Sequence, residues 1–507
     1  MHGVLATLHS AAIFGIDAYP VQVEVDVTYG LPGFTMVGLP DPSVRESRDR
    51  VRSAIRNSGF EFPAHRVTVN LAPADVRKGG SSFDLPIAIG ILAATGALDG
   101  VNLAEVVFLG ELSLDGAIQP ARGVLPIAAA ARRHGFGRII LPRANAREAG
   151  VVDSVRVIPV TSLAEAVLAL RGTMPPAPEP PRPCAAVSAP DAAGDFSEVR
   201  GQVLVRRALE VAAAGGHNVL LVGPPGAGKT MMARRLPGIL PPLTFDEAIE
   251  STSIHSVCGL LPPGQALLAE RPFRAPHHTI TDIALVGGGS IPRPGEISLA
   301  HNGVLFLDEA PEFDRRALEV LRQPLEQGVV TIARAARTAL FPARFMLVLA
   351  MNPCPCGFLG SPARACRCAP PEVRRYQDRM SGPLRDRVDL TVPVPAVPLS
   401  ALAEPPDGEP SSAVRARVVQ AREAQLDRLR PHGLRINAEM QGRTIWRHCR
   451  PDPAGLRVLE AGIRQFGLSA RGYDRVLKVA RTIADLSGAR RVEAAHVAEA
   501  LQYRLPE

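Results

Sequence analysis

The chain has 507 residues, of which 46% are hydrophobic and 21% charged, and its formal net charge is +7. These proportions are typical of globular proteins, and the length exceeds what one hydrophobic core organises, so about three domains are expected. No apolar run approaches the roughly 18 residues that span a bilayer, and no basic segment followed by an apolar one opens the chain, which predicts a cytoplasmic protein without a membrane partner.

Two proline-bearing stretches divide the chain. Residues 173–195 are rich in proline and alanine and lack hydrophobic periodicity, so they are predicted to form a semi-extended linker. A second polar stretch, residues 403–410, precedes an arginine-rich helical segment and marks the start of another domain. The expected fold is a multidomain α/β protein with an N-terminal domain at residues 1–172, a central domain at 196–400 and a C-terminal helical domain at 401–507.

The central domain begins with a pattern typical of nucleotide-binding proteins. An apolar run at residues 217–222 predicts a buried strand, and residues 231–236 predict a helix. Between them the phosphate-loop pattern G-x-x-x-x-G-K-[ST] is matched at every position by Gly223, Pro224, Pro225, Gly226, Ala227, Gly228, Lys229 and Thr230. Backbone N–H groups of such a loop cradle the phosphates of ATP at a helix N-terminus. Lysine at 229 adds weight because this chain otherwise prefers arginine, whose planar guanidinium does not fit against the β- and γ-phosphates.

Two further apolar strands are predicted to end in polar side chains. Residues 303–307 lead into Asp308 and Glu309, where a Walker B pair is expected after a phosphate loop. Asp308 and Thr230 are predicted to hold Mg²⁺, and Glu309 to polarise the attacking water. Residues 345–351 lead into Asn352, which is predicted to orient the same water. Because the carboxyl ends of parallel strands meet at one edge of a sheet, these groups are expected to converge.

A cluster of cysteines follows Asn352. Seven cysteines in a chain without an export signal argue against a disulfide framework and leave metal binding or core packing. Four of them lie within 15 residues, at Cys354, Cys356, Cys366 and Cys368. Four thiolates suit tetrahedral Zn²⁺, and a short loop without a core gains order by binding it. The C-x-C spacing is tighter than the usual C-x-x-C, so reduced structural cysteines remain the alternative.

The C-terminal segment is rich in arginine and poor in aromatic residues. Its arginines include Arg415, Arg417, Arg422, Arg428, Arg430 and Arg435. Helical charge of this kind is usually a solvated face, so it supports a nucleic-acid partner only weakly. Trp446 stands alone as an aromatic side chain in this region, which favours contact with a phosphate backbone over stacking on bases.

The order of these motifs resembles the AAA+ ATPases, and residues 273–279, 287–289 and 294–301 resemble the ComM/YifB family of magnesium-chelatase-like proteins. The resemblance implies that Arg387 is the arginine finger that reaches the γ-phosphate of a neighbouring subunit. It also implies that Arg471 is the sensor 2 arginine, which touches nucleotide from the C-terminal lid of its own subunit. A finger supplied in trans requires a homo-oligomer, expected to be a hexameric ring. The alternative for either arginine is a surface ion pair.

The N-terminal residues resemble the same family, whose N-terminal domain is similar to the α+β ribosomal S5 domain 2-like fold of Lon-type proteases. The resemblance lies in residues 38–47, 70–75, 78–86 and 110–116. In those proteases a serine at the position of Ser82 works with a lysine on a later helix, here residues 123–134, which contain no lysine. Because arginine stays protonated, it cannot replace that base, and no peptide substrate is expected. A rearranged dyad of Lys78 and Ser82 remains open.

The resemblance implies an ATP- and Mg²⁺-dependent motor that acts on DNA by branch migration of recombination intermediates, as in natural transformation. The alternatives are the metal-insertion ATPase subunit of a magnesium chelatase and a protein-remodelling ATPase. The adjacent histidines His277 and His278 point in different directions on any regular element, so they are expected at a subunit contact or in a polar core rather than at a metal.

Overall fold

The structure is a computed structural model that describes residues 4–74, 78, 81–173, 194–262, 264–289, 292–333, 338–360, 364–397 and 408–504. Most of the linker predicted at residues 173–195, and most of the stretch at 403–410, lie outside the described residues. Within the described ranges, no helix is long and apolar enough to cross a membrane.

The N-terminal region is built on a mixed seven-stranded sheet, in the order β3-β4-β2-β1-β5-β8-β9. Its strands and a small hairpin, β6–β7, are β1 (Val4–Phe14), β2 (Asp17–Thr28), β3 (Gly33–Val37), β4 (Arg66–Ala72), β5 (Val106–Phe108), β6 (Glu111–Leu112), β7 (Ile118–Gln119), β8 (Arg138–Pro142) and β9 (Arg156–Val160). Its helices are α1 (Pro42–Arg45), α2 (Ser47–Asn57), α3 (Asp84–Ala94), α4 (Val124–Arg133), α5 (Ala146–Ala149) and α6 (Leu163–Leu170).

Helices cover both faces of this sheet. Strand side chains alternate between faces, so Phe108 joins the core under α2, α3 and α6, while its neighbour Val107 joins the core under α4 and α5. Strand β2 follows the same period of two, with Val21, Val23 and Val25 fully buried. The N-terminal region is therefore a three-layer unit with its own core.

The central region is built on a second sheet, in which all five strands run parallel in the order β11-β14-β17-β10-β18. Its strands and two hairpins, β12–β13 and β15–β16, are β10 (Val219–Val222), β11 (Phe273–Arg274), β12 (Gly287–Gly288), β13 (Arg293–Pro294), β14 (Val304–Leu307), β15 (Val329–Ala333), β16 (Thr338–Pro342), β17 (Met346–Met351) and β18 (Leu390–Pro393). Its helices are α7 (Val203–Gly215), α8 (Lys229–Ile239), α9 (Phe245–Cys258), α10 (Asp282–Val286), α11 (Glu296–Leu299), α12 (Arg315–Glu319), α13 (Arg322–Gln327), α14 (Pro370–Gln377) and α15 (Gly382–Arg385). The three apolar runs read from the sequence are β10, β14 and β17, which are neighbours in the sheet.

The C-terminal region is helical. Its helices are α16 (Ser411–Leu429), α17 (Arg443–His448), α18 (Pro453–Phe466), α19 (Ala470–Leu486) and α20 (Ala494–Gln502). Across all three regions, short 3₁₀ turns lie at Ser81–Phe83, Arg143–Asn145, Phe196–Glu198, Ala310–Glu312, Arg430–His432 and Asn437–Glu439. One hydrophobic core joins these helices to one face of the parallel sheet, with Val219 and Val348 at one end and Val479 and Val497 at the other.

Four C-terminal arginines bond inside the molecule, so the solvated face expected for them is wrong at these positions. Three of them, Arg415, Arg417 and Arg422, hold this region to the central one. Arg415 donates to Gly238 O at 2.7 Å and Arg417 to Glu210 at 2.6 Å. Arg422 donates to Ala213 O at 2.7 Å, and Arg428 pairs with Asp485 at 2.6 Å. Burial lowers the pKa of Arg422 to about 10. These guanidinium groups satisfy carbonyl and carboxylate oxygens inside the molecule.

The N-terminal unit also contacts the central region directly. Glu148 is buried and accepts hydrogen bonds from the backbone N–H of Leu125 at 2.9 Å and from the hydroxyl of Ser256 on α9. The backbone N–H of Gly123 donates to Ser256 O at 3.0 Å. The turn between β1 and β2 packs Phe14 against the core of the central region.

Candidate nucleotide site and cysteine cluster

Three parallel strands bring their terminal polar residues to one edge of the central sheet. Strand β17 pairs with β10 so that Met351 lies beside Val222, and with β14 so that Leu349 lies beside Leu307. The residues that follow these strands are the phosphate loop, Asp308 and Asn352. Their convergence is thus a result of strand register in the backbone.

The phosphate loop connects β10 to α8. Gly226 and Gly228 have φ angles of 74° and 87°, in the left-handed region that favours glycine. Helix α8 begins at Lys229, so the backbone N–H groups of its first turn have no partner within the helix and face the loop. This is the local geometry of an anion-binding helix N-terminus.

Lys229 links the phosphate loop to the end of β17. Its ammonium donates to Gly223 O at 2.7 Å, to Pro224 O at 2.9 Å and to Asn352 Oδ1 at 3.1 Å. Burial lowers the pKa of Lys229, while the carboxylates of Asp308 and Glu309 act in the opposite direction. Two residues that the sequence analysis placed in one site therefore share a hydrogen bond.

Thr230 and Asp308 form the second contact of the site. The Thr230 hydroxyl donates to Asp308 Oδ2 at 2.5 Å, and the other carboxylate oxygen accepts the backbone N–H of Glu309 at 2.9 Å. A hydroxyl and a carboxylate are oxygen ligands of the kind that Mg²⁺ prefers, and Mg²⁺ retains several waters beside them. The donor set therefore fits a magnesium ion carried with nucleotide phosphates.

Glu309 stands at the mouth of the site in an uncommon backbone conformation. Its φ angle is 51°, which is strained for a residue with a side chain, and such strain clusters at functional sites. Its side chain is 55% exposed, and His278 Nδ1 lies 3.8 Å from its carboxylate. His278 was not predicted from the sequence to lie in this site. The feature that could have placed it is β11, which precedes His278, pairs parallel with β14 and leads towards the same edge of the sheet. Because β11 is only two residues long, the sequence gives no recognisable strand pattern there.

Arg387 and Arg471 bond to residues outside this group of side chains. Arg387 pairs with Glu326 and donates to Pro383 O at 2.5 Å, and Arg471 donates to Asp386 at 3.3 Å. No hydrogen bond or ion pair joins either arginine to the phosphate loop within the described part of the chain. Asp386 precedes Arg387, so the Arg471 pair links α19 to the segment that carries Arg387.

The four clustered cysteines converge on one point. Their sulfur atoms all lie within 4.8 Å of one another, and Cys354 Sγ lies 3.4 Å from that of Cys356 and 3.6 Å from that of Cys366. All four are free thiols, because a disulfide needs sulfurs about 2.05 Å apart. The cluster is the one group of three or more metal-ligating side chains found among the described residues, and it does not include His277 or His278.

A groove beside the nucleotide edge is lined by basic side chains. Its volume is about 840 Å³, and its lining includes Phe313, Arg315, Arg374, Arg375 and Arg379. Arg379 pairs with Glu312 at 2.9 Å, whereas Arg315, Arg374 and Arg375 are exposed and form no ion pair with described residues. The groove therefore carries an excess of positive charge.

Three family models match the chain. The model described as "Magnesium chelatase, subunit ChlI" matches residues 195–402, "Subunit ChlI of Mg-chelatase" matches 23–145, and "Magnesium chelatase, subunit ChlI C-terminal" matches 408–504. The chain is 46% identical to competence protein ComM of Haemophilus influenzae over 509 residues, which cover 99% of this chain and 97% of that protein. The chain belongs to the ComM/YifB family of magnesium-chelatase-like proteins.

A second full-length relative agrees with this assignment, and a further relative matches only part of the chain. The protein YifB of Salmonella typhimurium is 46% identical over 502 residues, which cover 99% of this chain and 97% of that protein. A Lon protease of Chloroflexus aurantiacus is 32% identical over 170 residues, which cover 31% of this chain and 20% of the protease. As a member of this family, the chain is an AAA+ ATPase-type protein, and ATP and Mg²⁺ are the cofactors that the family implies.

Proposed function

We propose that this protein is a ring-forming, Mg²⁺-dependent ATPase that moves on DNA, as a helicase that branch-migrates recombination intermediates. The observation that carries the ATPase is the hydrogen-bonded set of Lys229, Asn352, Thr230 and Asp308 at the carboxyl edge of a parallel sheet. The relative named competence protein ComM supports the connection to DNA, since competence is the uptake of DNA.

Each residue of the set has a distinct role in hydrolysis. The backbone N–H groups of residues 226–230 and the Lys229 ammonium bind the phosphates. Thr230 and Asp308 would hold Mg²⁺, which would neutralise the charge that develops on the phosphates. Glu309 accepts a proton from the attacking water, and Asn352 orients that water. Lys229 already donates to Asn352, so phosphate binding and water orientation are coupled through one side chain.

Arg387 completes the site of a neighbouring subunit. Its present partner, Glu326, is 59% exposed, whereas the Arg387 side chain is 13% exposed, so in this proposal Arg387 leaves this ion pair when it contacts a phosphate of the neighbour. The Nε of Arg387 is buried without an acceptor among the described residues, so the guanidinium has hydrogen-bonding capacity left. A finger that acts between subunits requires a closed ring, for which we propose six copies. Arg471 serves its own subunit as sensor 2.

The N-terminal residues 1–172 form a ribosomal S5 domain 2-like domain without peptidase activity in this proposal. Helix α4, at the position of the Lon lysine helix, ends in two arginines and has no lysine. The Lys78 ammonium is buried and donates to Pro73 O. A rearranged dyad of Lys78 with Ser82 would therefore require that hydrogen bond to break. In this proposal the domain instead binds DNA or a partner, or helps to assemble the ring.

The basic groove supplies the contact to DNA. Four of the C-terminal arginines considered from sequence are bonded inside the molecule, so they contribute little to a phosphate surface. Arg315, Arg374 and Arg375 are exposed beside the nucleotide edge, where binding of a polyanion is coupled to hydrolysis by proximity.

The deciding experiment is steady-state ATP hydrolysis with single-stranded, duplex and four-way-junction DNA across a salt series. Several-fold stimulation that fades as salt rises is expected, because phosphate contacts release counterions. Arg374→Glu is expected to weaken the stimulation. Hydrolysis indifferent to every DNA would contradict the motor and favour the magnesium-chelatase or protein-remodelling alternative, and cleavage of casein would contradict the loss of peptidase activity.

A further inference from the structure

The cysteine cluster lies next to the nucleotide site, and its position suggests more than local stability. We propose that Cys354, Cys356, Cys366 and Cys368 bind one Zn²⁺, and that the bound ion holds the end of β17 and the phosphate loop in the geometry for hydrolysis. The second half of this proposal rests on the ATPase function proposed above, whereas zinc binding itself does not.

The sulfur geometry suits a tetrahedral zinc site. Zinc–sulfur bonds of about 2.3 Å place the sulfurs of a tetrahedral site about 3.8 Å apart. The separations here are 3.4 Å for Cys354 and Cys356 and 3.6 Å for Cys366 with either of them. Four thiolates in this arrangement select zinc over hard cations such as Mg²⁺ or Ca²⁺, which prefer oxygen.

Backbone groups around the sulfurs support the same conclusion. The backbone N–H of Cys356 points to the sulfur of Cys368 at 3.4 Å, and that of Cys368 points to the sulfur of Cys366 at 3.4 Å. N–H donors directed at sulfur stabilise bound thiolates, as the outer partners of metal ligands commonly do. The cluster therefore has a supporting shell as well as four ligands.

The cluster contacts the phosphate loop through one glycine. Gly357 follows Cys356, has a φ angle of 82° and donates its N–H to Cys354 O at 2.9 Å. A Cβ built on Gly357 would lie 2.5 Å from Cδ of Pro225, so the turn that carries two ligands packs against the phosphate loop. Movement of this turn would displace Pro225.

The cluster is also tied to Asn352 from the other side. Helix α14 begins two residues after Cys368, and its Gln377 side chain donates to Pro353 O at 3.1 Å. Tyr376 is buried on the same helix and hydrogen-bonds with the backbone of Asn352, and burial raises the pKa of Tyr376 to about 12. The loop that carries the four cysteines therefore begins next to Asn352, and the helix that follows the loop, α14, packs back against Asn352 and Pro353. A metal that closes this loop fixes both ends.

The first test measures zinc and ATP hydrolysis in purified full-length protein. One Zn²⁺ per chain is expected by elemental analysis. Cys366→Ser/Cys368→Ser is expected to lose the metal and to lower kcat at least tenfold with a smaller change in KM. Cys368→His retains a nitrogen ligand and is expected to keep both zinc and activity. Cys258→Ser, a half-buried cysteine outside the cluster, is the matched control.

A second variant separates metal binding from positioning. Gly357→Ala leaves all four sulfurs in place but forces a Cβ against Pro225, so it is expected to bind zinc normally and to hydrolyse ATP at least tenfold more slowly. Far-ultraviolet circular dichroism reports whether each variant is folded. If the serine variant does not fold, its loss of activity says nothing about positioning. Gly357→Ala, which retains all four ligands, then remains the test of positioning.

The outcomes distinguish the two proposals. Protein without zinc after purification and after addition of ZnCl₂ would overturn the metal site. Zinc-free, folded protein that hydrolyses ATP at the wild-type rate would overturn its role in positioning. Wild-type protein that binds zinc but never hydrolyses ATP would instead overturn the ATPase and leave the zinc site intact.

Discussion

Lys229 and Glu309 carry separate parts of the proposed reaction, so their variants should fail in different ways. Lys229→Ala removes the ammonium that faces the phosphates and is expected to lower both nucleotide binding and hydrolysis, the latter on the order of 10²-fold or more. Glu309→Gln keeps the shape of the side chain but removes the base, so hydrolysis is expected to fall on the order of 10²-fold while ATP still binds. A fluorescent ATP analogue measures binding and phosphate release measures turnover. Wild-type hydrolysis in both variants would remove this mechanism.

His278 was not predicted from the sequence to lie in this site, yet it is a neighbour of Glu309, the proposed base. Its ring lies 3.8 Å from the Glu309 carboxylate and 6.4 Å, edge-on, from the ring of Phe313. His278→Ala is expected to lower kcat roughly tenfold, about 1.4 kcal/mol of barrier, with KM for ATP little changed. His277 is the matched control, because its Nδ1 bonds to the Thr279 hydroxyl at 3.0 Å instead. Equal effects of His277→Ala and His278→Ala would contradict a specific contact with Glu309.

A buried histidine makes the join between β10 and α19 sensitive to pH. His217 bonds to the Thr482 hydroxyl at 2.8 Å and lies 3.5 Å from Asp389. Burial lowers the pKa of His217 below its usual 6.5, although Asp389 opposes the shift. Below pH 6.5, His217 is therefore protonated in the unfolded chain but stays neutral in the folded chain. The free energy of unfolding consequently falls as the pH drops.

Substitution of His217 isolates its contribution to the pH dependence of the free energy of unfolding. One proton bound only by the unfolded state costs up to about 1.4 kcal/mol per pH unit. Denaturant midpoints at pH 7.5 and 5.5 are expected to differ more for wild type than for His217→Gln. A variant whose midpoint falls with pH as steeply as that of wild type would assign the effect to other groups.

The elements that sequence could predict are those whose signal is local. Apolar runs that end in Asp308 or Asn352 give both the strand and the side chain at its tip, and parallel pairing then brings the tips together. The hydrogen bond of Arg422 could not be predicted in this way, because its acceptor, Ala213 O, lies 209 residues earlier in the chain. The contact of Glu148 with Ser256 spans 108 residues and joins the N-terminal and central regions. Such contacts depend on tertiary packing, which periodicity does not report.

At the scale of the whole molecule, the proposed arginine finger Arg387 gives the sharpest prediction, because in this proposal it acts only between subunits. Arg387→Ala is expected to fold and to bind ATP but to lose hydrolysis roughly 10³-fold. Mixing it with Lys229→Ala is expected to restore part of the activity, because a wild-type Lys229 then meets a wild-type Arg387 at some interfaces. Light scattering reports assembly in the same samples. Full wild-type activity at a concentration where the protein is monomeric would exclude the finger.

The shared core of the parallel sheet and the C-terminal helices has a mechanical consequence. Because Val348 of the sheet and Val479 of α19 belong to one continuous apolar cluster, the boundary between these regions would expose buried surface if it opened. Arg417 and Arg422 add bonds that such a hinge would break. Each subunit is therefore expected to be stiff at this boundary. In the ring proposed above, ATP hydrolysis would then produce motion by changing the angles between neighbouring subunits rather than the shape of any one of them.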